Sequence, residues 1–219
     1  MRVCPAWKCL GAGVIVVILL IIITNLISLF VSFVIYDLSS LYKFNWLDNV
    51  RIGTKIININ AGFDEISTLL RTKYADADLT VLDFYNPTQH TEVSIKRARK
   101  AYPPFSNTLQ ISTTHVPLVD KSADNIFVFL SAHEIRSDDE RVAFFEELNR
   151  ILKPEGQVVV TEHLRDTANF IAYNIGFFHF HSRSTWLKTF GKAGFKVSKE
   201  IKITPFISTF ILSKNGTAS

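Results

Sequence analysis

Two groups of residues in this 219-residue chain have types and spacings that chemistry could use. Asp83 closes the apolar run "LTVLDF", about 20 residues after Gly62, the glycine of "NAGFD". An acid at the end of a strand, following a glycine turn, can accept hydrogen bonds from the hydroxyl pair of a ribose. A helix cap or turn acid is the plain alternative for Asp83. The second group is His133 and Glu134 after "NIFVFLS", Glu162 and His163 after "QVVVT", and then His179 and His181. His133 is the first candidate for a general base, because an imidazole exchanges its proton near neutral pH. Glu134 and His163 come next, and a histidine hydrogen-bonded beneath a site is the structural alternative. Zinc takes the same ligand types, but the i, i+2 spacing of His179 and His181 is not diagnostic and no cysteine accompanies them, so no metal is expected.

These side chains need strands to hold them. "KIININ" (55–60), "LTVLDF" (79–84), "TLQIS" (108–112), "NIFVFLS" (125–131) and "QVVVTEHL" (157–164) are short, mainly apolar runs, as expected of strands buried on both faces of a parallel sheet. Helical spacing predicts helices over 64–73 and 91–101, a third from the caps Ser137 and Asp138 to "KPEG", and two more near 167–176 and 182–193. "FKVSKEIKI" and "FISTFILSK" read as a closing antiparallel pair. The alternation predicts an α/β fold: a Rossmann-like three-layer sandwich on a mostly parallel seven-stranded sheet with an antiparallel C-terminal pair. In such a sheet ligands bind at the carboxyl ends of the strands, where Gly62, Asp83, Thr113 and Ser131 to Glu134 fall.

Leu10 to Tyr36 carries no charged side chain and, at 1.5 Å per residue, is long enough to cross a hydrocarbon core of roughly 30 Å. The run is too long for a cleaved signal peptide, and "FVIYDLSS" offers no small-x-small site, so a signal anchor is expected. The chain thus divides into a tail (1–9), a transmembrane helix (10–36), a juxtamembrane linker (37–50) and one domain (51–219). Arg2 and Lys8 precede the helix, while Lys43, Arg51 and Lys55 follow it, partly offset by Asp37 and Asp48, so charge alone does not orient it. The composition, 47% hydrophobic and 20% charged, excludes a disordered chain. The net charge of +4 comes from scattered bases, for which anionic headgroups suffice, and nucleic acid is not expected as a partner. Cys4 and Cys9 both precede the helix, as free thiols or acylation sites, which leaves the domain without a disulfide.

Three ordered segments carry a family resemblance: "STTHVPLVDKSADNIFVFLSAHEI", "FFEELNRILKPEGQVVVTEH" and "STWLKTFGKAGFKV". Val116, Pro117, Ser122 and Asp124 before strand four, Arg150, Leu152, Lys153, Pro154 and Gly156 before strand five, and Ala193, Gly194 and Phe195 at the last helix-to-strand junction match the pattern. In this the chain resembles the class I S-adenosylmethionine-dependent methyltransferases that act on small molecules and lipids, over roughly residues 50 to 212.

The resemblance implies S-adenosylmethionine as cofactor. It aligns the family's first loop, "[DE].G.G.G", onto Asn58, Asn60, Gly62 and Asp64. Asn and Asp tolerate positive φ, so Asn60 and Asp64 are expected to make glycine-like turns. It further implies Asp83 on the ribose, Phe84 beside adenine, Thr113 where the family often has an acid for the adenine amino group, and Ser131 to Glu134 beneath the sulfonium. Phe170, Tyr173, Phe177, Phe178 and Phe180 would form an apolar acceptor channel or a surface dipping into lipid, with core packing the plain alternative. The implied function is methyl transfer to a lipophilic or membrane-proximal small molecule by a single-pass membrane protein whose domain faces the cytoplasm. The alternative is a catalytically inactive, membrane-tethered scaffold, which the missing glycines support. A nicotinamide-dependent oxidoreductase fits less well, since pyrophosphate needs the close backbone approach those glycines provide.

Overall fold

The computed structural model describes residues 6–48, 50–89 and 93–216; Arg2, Cys4 and Thr91 lie outside them. Seven strands form one sheet: β1 (Lys55–Asn60), β2 (Asp78–Asp83), β3 (Leu109–Gln110), β4 (Ala123–Phe129), β5 (Leu152–His163), β6 (Phe195–Thr204) and β7 (Ile207–Lys214). The spatial order is β3-β2-β1-β4-β5-β7-β6, with β1 to β5 parallel and β7 antiparallel to both β5 and β6. The expected fold class is therefore the observed one. The order reverses between β1 and β4, so the carboxyl ends of those strands flank the crevice where ligands bind.

Two strands differ from expectation. Of the run 108–112 only Leu109 and Gln110 pair with β2, both exposed at the sheet edge. β5 begins at Leu152 rather than after "KPEG", because Leu152 leaves helix α4 (Asp138–Ile151) with extended dihedrals and pairs directly with Ala123. Gly156 lets the strand pass: a Cβ there would lie 2.8 Å from the Asp124 carbonyl oxygen. α4 itself starts where its caps predict, the Ser137 side chain accepting the Glu140 N–H, and buries Phe144, Phe145, Leu148 and Ile151.

Side chains alternate across the strands, so the sheet has two cores. Ile57, Ile59, Val128 and Val160 face Phe144, Phe145 of α4 and Trp186, Phe190 of α6 (Arg183–Lys192). Ile56, Phe127, Phe129 and Val159 face α2 (Ser67–Lys73) and the chain between residues 35 and 50. That second partner is the stretch read as a linker. After α1 (Ala6–Phe33), which is long and apolar enough to cross a membrane, the chain makes one π turn (Val34–Leu38) and two short 3-10 turns (Leu41–Lys43, Asn45–Leu47). Along this path Ile35, Leu41, Phe44, Leu47 and Val50 are buried. Phe44 turns at φ 53°, with its carbonyl oxygen accepting from Lys73 Nζ at 3.1 Å and its ring 6.3 Å from that of Phe129.

A large-to-small change in this segment should cost as much as one in the central core. Leu41→Ala is expected to destabilise the full-length protein by about 2–5 kcal/mol, read by denaturant unfolding in detergent. A loss below ~0.5 kcal/mol, the level of a surface change, would show that residues 37–50 only link.

Candidate active site

The crevice begins where β1 ends. Asn60 folds back so that its Oδ1 accepts the Gly62 N–H at 2.9 Å. Gly62 has φ +97°, and a Cβ there would meet the Tyr85 ring and the Arg99 guanidinium at 2.9 Å, so glycine is required. Neither Asn60 nor Asp64 is among the described residues with positive φ, which corrects the expectation of glycine-like turns. Asn60 is the last strand residue, and Asp64 Oδ1 instead accepts from the N–H groups of Ile66 (3.2 Å) and Ser67 (3.0 Å) at the start of α2. Asn58 Nδ2 donates to Asp64 Oδ1 (3.1 Å) and Ser67 Oγ (2.8 Å). One glycine suffices because side chains close the rest of the loop.

Asp83, 3% exposed, lies at the end of β2. Its Oδ1 accepts the Tyr85 N–H (2.7 Å) and its Oδ2 pairs with Arg99 Nη1 (2.6 Å). Arg99, on α3 (Val93–Ala101), also donates to the Gly62 carbonyl (3.2 Å) and lies 4.4 Å over the Tyr85 ring. Phe84 is buried, with its ring 5.5 Å from that of Phe144, yet it helps line a cleft of about 470 Å³ with Tyr85, Gln110, Ile111, Thr113 and Glu140. Thr113 Oγ1 donates to Glu140 Oε1 at 2.6 Å, which sets an acid from the first turn of α4 beside position 113. Ser131 Oγ donates to the Ile59 carbonyl (3.2 Å), tying β4 to β1.

After β4 a short 3-10 turn (Ala132–Glu134) brings His133 against the end of β5. His133 Nδ1 is 2.6 Å from Glu162 Oε2, and its backbone N–H donates to Glu162 Oε1 (3.2 Å). His133 Nε2 lies 3.4 Å from Glu134 Oε1, which is 3.3 Å from His179 Nε2. Burial would lower the His133 pKa, but Glu162 and Glu134 outweigh it and hold the ring well above its ordinary value. Burial likewise opposes ionisation of Glu134, and hydrogen bonds from His133 and His179 reverse that. His163 lies apart from this cluster. Its ring stacks on Phe180 (4.7 Å), and its two nitrogens meet Asn169 Oδ1 and the Tyr36 hydroxyl, each at 3.0 Å. Burial pushes it down to about 4, so it stays neutral with both nitrogens engaged, as a structural histidine. His181 faces Arg141 Nη1 (3.1 Å) rather than His179.

Sequence reasoning missed Arg99, Tyr85, Glu140 and Glu65. Glu65 follows the Gly62 turn and accepts from the Tyr42 hydroxyl at 2.8 Å; burial, reinforced by Asp64 and Glu162, pushes it up to about 7. Only the acidic start of α4 was visible in sequence, and nothing there pointed to Thr113.

Residues 58–160 match the family described as "Methyltransferase domain". No curated protein matches the sequence. Among solved structures, an S-adenosylmethionine-dependent methyltransferase from Aquifex aeolicus superposes with a TM-score of 0.57 at 17% identity, over 80% of this chain and 93% of that one. A protein from Pyrococcus horikoshii gives 0.57 at 14% identity, over 81% and 93%. Human N-acetylserotonin methyltransferase, solved with S-adenosylmethionine, gives 0.54 at 15% identity, over 74% of this chain and 48% of that one. The fold is thus that of the class I S-adenosylmethionine-dependent methyltransferases. Over residues 58–160 the chain matches a methyltransferase domain, and a long apolar helix precedes it.

The residues present fit the cofactor of this class. Asn58 Oδ1, Asn60 Nδ2 and Asp64 Oδ2 are buried without a partner around the first loop, and such atoms are costly unless something polar meets them. Asp83 fits once Arg99 gives way, and that side chain is 28% exposed where that of Asp83 is 4% exposed. Arg99→Gln is therefore expected to tighten S-adenosylmethionine binding by about 3–10-fold in isothermal titration, roughly 1 kcal/mol of relieved competition. Asp83→Asn should weaken it by at least about tenfold. Weaker binding by R99Q would show instead that Arg99 holds the cofactor.

Glu65 gives a pH prediction with a definite sign. Its folded pKa, about 7, exceeds the unfolded value near 4.5, so the folded state keeps a proton the unfolded state has lost, and stability falls as pH rises through this window. Glu65→Gln should raise the melting temperature at pH 8, by about 1–3 kcal/mol of stability, with the gain vanishing near pH 4.5. A gain equal at both pH values would show that Glu65 does not titrate across this range.

Proposed function

We propose that this methyltransferase transfers the methyl group of S-adenosylmethionine to a lipophilic small molecule reached from the membrane, with the domain on the cytoplasmic side, where that cofactor is made. One observation carries the reading: an exposed apolar surface joins α1 to the His133 cluster. α5 (Thr167–Tyr173) packs on α1, the Ser28 hydroxyl donating to the Ala172 carbonyl at 2.6 Å. The chain continues as a 3-10 segment (Asn174–His179) ending at the histidine that meets Glu134. Phe170, Ile171, Ile175 and Phe178 on these two segments are between 48% and 77% exposed. A row of large apolar side chains beside a membrane-length helix suits the boundary between headgroups and acyl chains. An acceptor dissolved in that layer would be concentrated beside the site.

S-adenosylmethionine supplies an already activated methyl group, so the protein has mainly to align an acceptor and exclude water. In this reading Asn58, Asn60, Gly62, Asp83 and Thr113 hold the cofactor, while Phe84 and Ser131 shape the walls. His133 and Glu134 face the acceptor from the end of β4 and orient it. An inactive scaffold, the alternative that the worn loop raises, is not favoured: Gly62 keeps its positive φ, Asp83 is in place, and the lost glycines are compensated by side-chain hydrogen bonds.

The test uses the full chain in phosphatidylcholine vesicles with radiolabelled cofactor and a homologous series of alkyl thiols, phenols and amines. Turnover per acceptor is expected to rise with chain length as partitioning increases, and Ile175→Glu with Phe178→Glu should raise KM for the long acceptors by about tenfold while leaving cofactor Kd unchanged. Turnover confined to the short, water-soluble members would overturn the lipophilic reading.

A further inference from the structure

The cluster after β4 has a geometry that methyl transfer by itself does not require. We propose that His133, Glu134 and His179 form a binding site for a divalent cation of the zinc type. Their ligand atoms all lie within 4.8 Å of one another, and the two resolved edges, His133 Nε2 to Glu134 Oε1 at 3.4 Å and His179 Nε2 to Glu134 Oε1 at 3.3 Å, are those of a coordination polyhedron. Four-coordinate zinc with bonds of 2.0–2.1 Å has ligand-to-ligand edges of about 3.3–3.4 Å. Two imidazoles and one carboxylate are also a donor set that suits zinc.

The surroundings are organised as metal sites are. Glu162, wholly buried, faces His133 Nδ1 at 2.6 Å; a proton on that nitrogen leaves Nε2 as the ligand. A carboxylate behind a ligating histidine fixes its tautomer and raises its basicity. Arg136 Nη1 donates to both the His133 carbonyl (3.1 Å) and the His179 carbonyl, stitching together the two segments that bring the ligands from different parts of the chain. This long-range origin explains why sequence spacing gave no metal pattern: His133 and Glu134 are adjacent, and His179 arrives from the 3-10 segment after α5. Three protein ligands leave a further position open, so an acceptor oxygen, sulfur or nitrogen could bind there. On binding the ion takes the place of any proton on His133 Nε2 or His179 Nε2, and that proton passes to solvent.

The inference stands or falls on metal binding itself, separately from the identity of the acceptor. Full-length protein in detergent, with Cys4→Ser and Cys9→Ser to remove competing thiols, is stripped with a chelator and titrated with Co²⁺, then Zn²⁺. The expected result is one Co²⁺ per chain with the visible absorption of a four-coordinate site, displaced by Zn²⁺. His179→Ala should weaken Zn²⁺ by more than about 100-fold, Glu162→Gln by about 10–100-fold as an outer partner, and exposed His115→Ala not at all. Far-UV circular dichroism identifies any variant that fails to fold, and the parent titration decides the matter without variants. No uptake by the parent at micromolar zinc, or uptake undiminished in both H179A and E134Q, overturns the proposal.

Discussion

Glu162 is wholly buried at the end of β5, and both its oxygens meet one residue, His133, through its backbone N–H and its ring. A buried carboxylate without partners would cost several kcal/mol, so this pairing is obligatory once the strand places Glu162 there. It locks the 3-10 turn after β4 to the end of β5, and His133 then fixes where Glu134 stands. The two strands are neighbours in register, Val128 against Val160 and Phe129 against Thr161, so the pair of strand ends cannot slide apart without breaking it. The floor of the crevice is held by one charge pair set into a parallel sheet.

The segment between α1 and the sheet is coupled to the same place. Tyr36 bonds to His163, the residue after Glu162, and Tyr42 bonds to Glu65, two residues beyond Phe63 in the loop after β1. Leu41, Phe44 and Leu47 fill the core between those contacts. The long apolar helix is thus joined to the domain by packed chain rather than by loose chain. Any tilt of α1 relative to the domain would have to break the Ser28 to Ala172 bond and repack this aromatic layer.

How much of this was legible in the sequence follows from the range of each interaction. The strands, the closing antiparallel pair and α4 were legible, because apolar runs, caps and periodicity are local and the parallel sheet demands them. The place of Asp83 was legible for the same reason. The role of residues 37–50 was not: Leu41, Phe44 and Leu47 have no helical or strand period in two short 3-10 turns, and only the tertiary fold shows what they cover. The first loop was half legible. Its departures from a glycine pattern were plain, but their remedy, an Asn60 side chain reaching Gly62 and an Asp64 cap on α2, uses side-chain bonds rather than the backbone freedom that motif reasoning considers. Arg99 and Glu140 come from helices distant in sequence, and His179 from a segment beyond β5, so no spacing rule could assign them.

Charge gives these pieces a common logic. Asp83, Glu134, Glu162 and Glu65 all lie about the carboxyl ends of β1, β2, β4 and β5, a concentration of acids that a low-dielectric crevice holds only with compensating cations or protons. The chain supplies them itself: Arg99 on Asp83, the raised His133 between Glu162 and Glu134, and a proton retained on Glu65 near neutral pH. S-adenosylmethionine carries a sulfonium beside a zwitterionic amino acid end, a net positive charge that suits a crevice built of acids. The part-buried side chain of Arg99 is more accessible than that of His133, which is enclosed by both its partners. The β2 side of the reversal in strand order thus carries the looser of the two compensating cations, and the β4–β5 side the enclosed one.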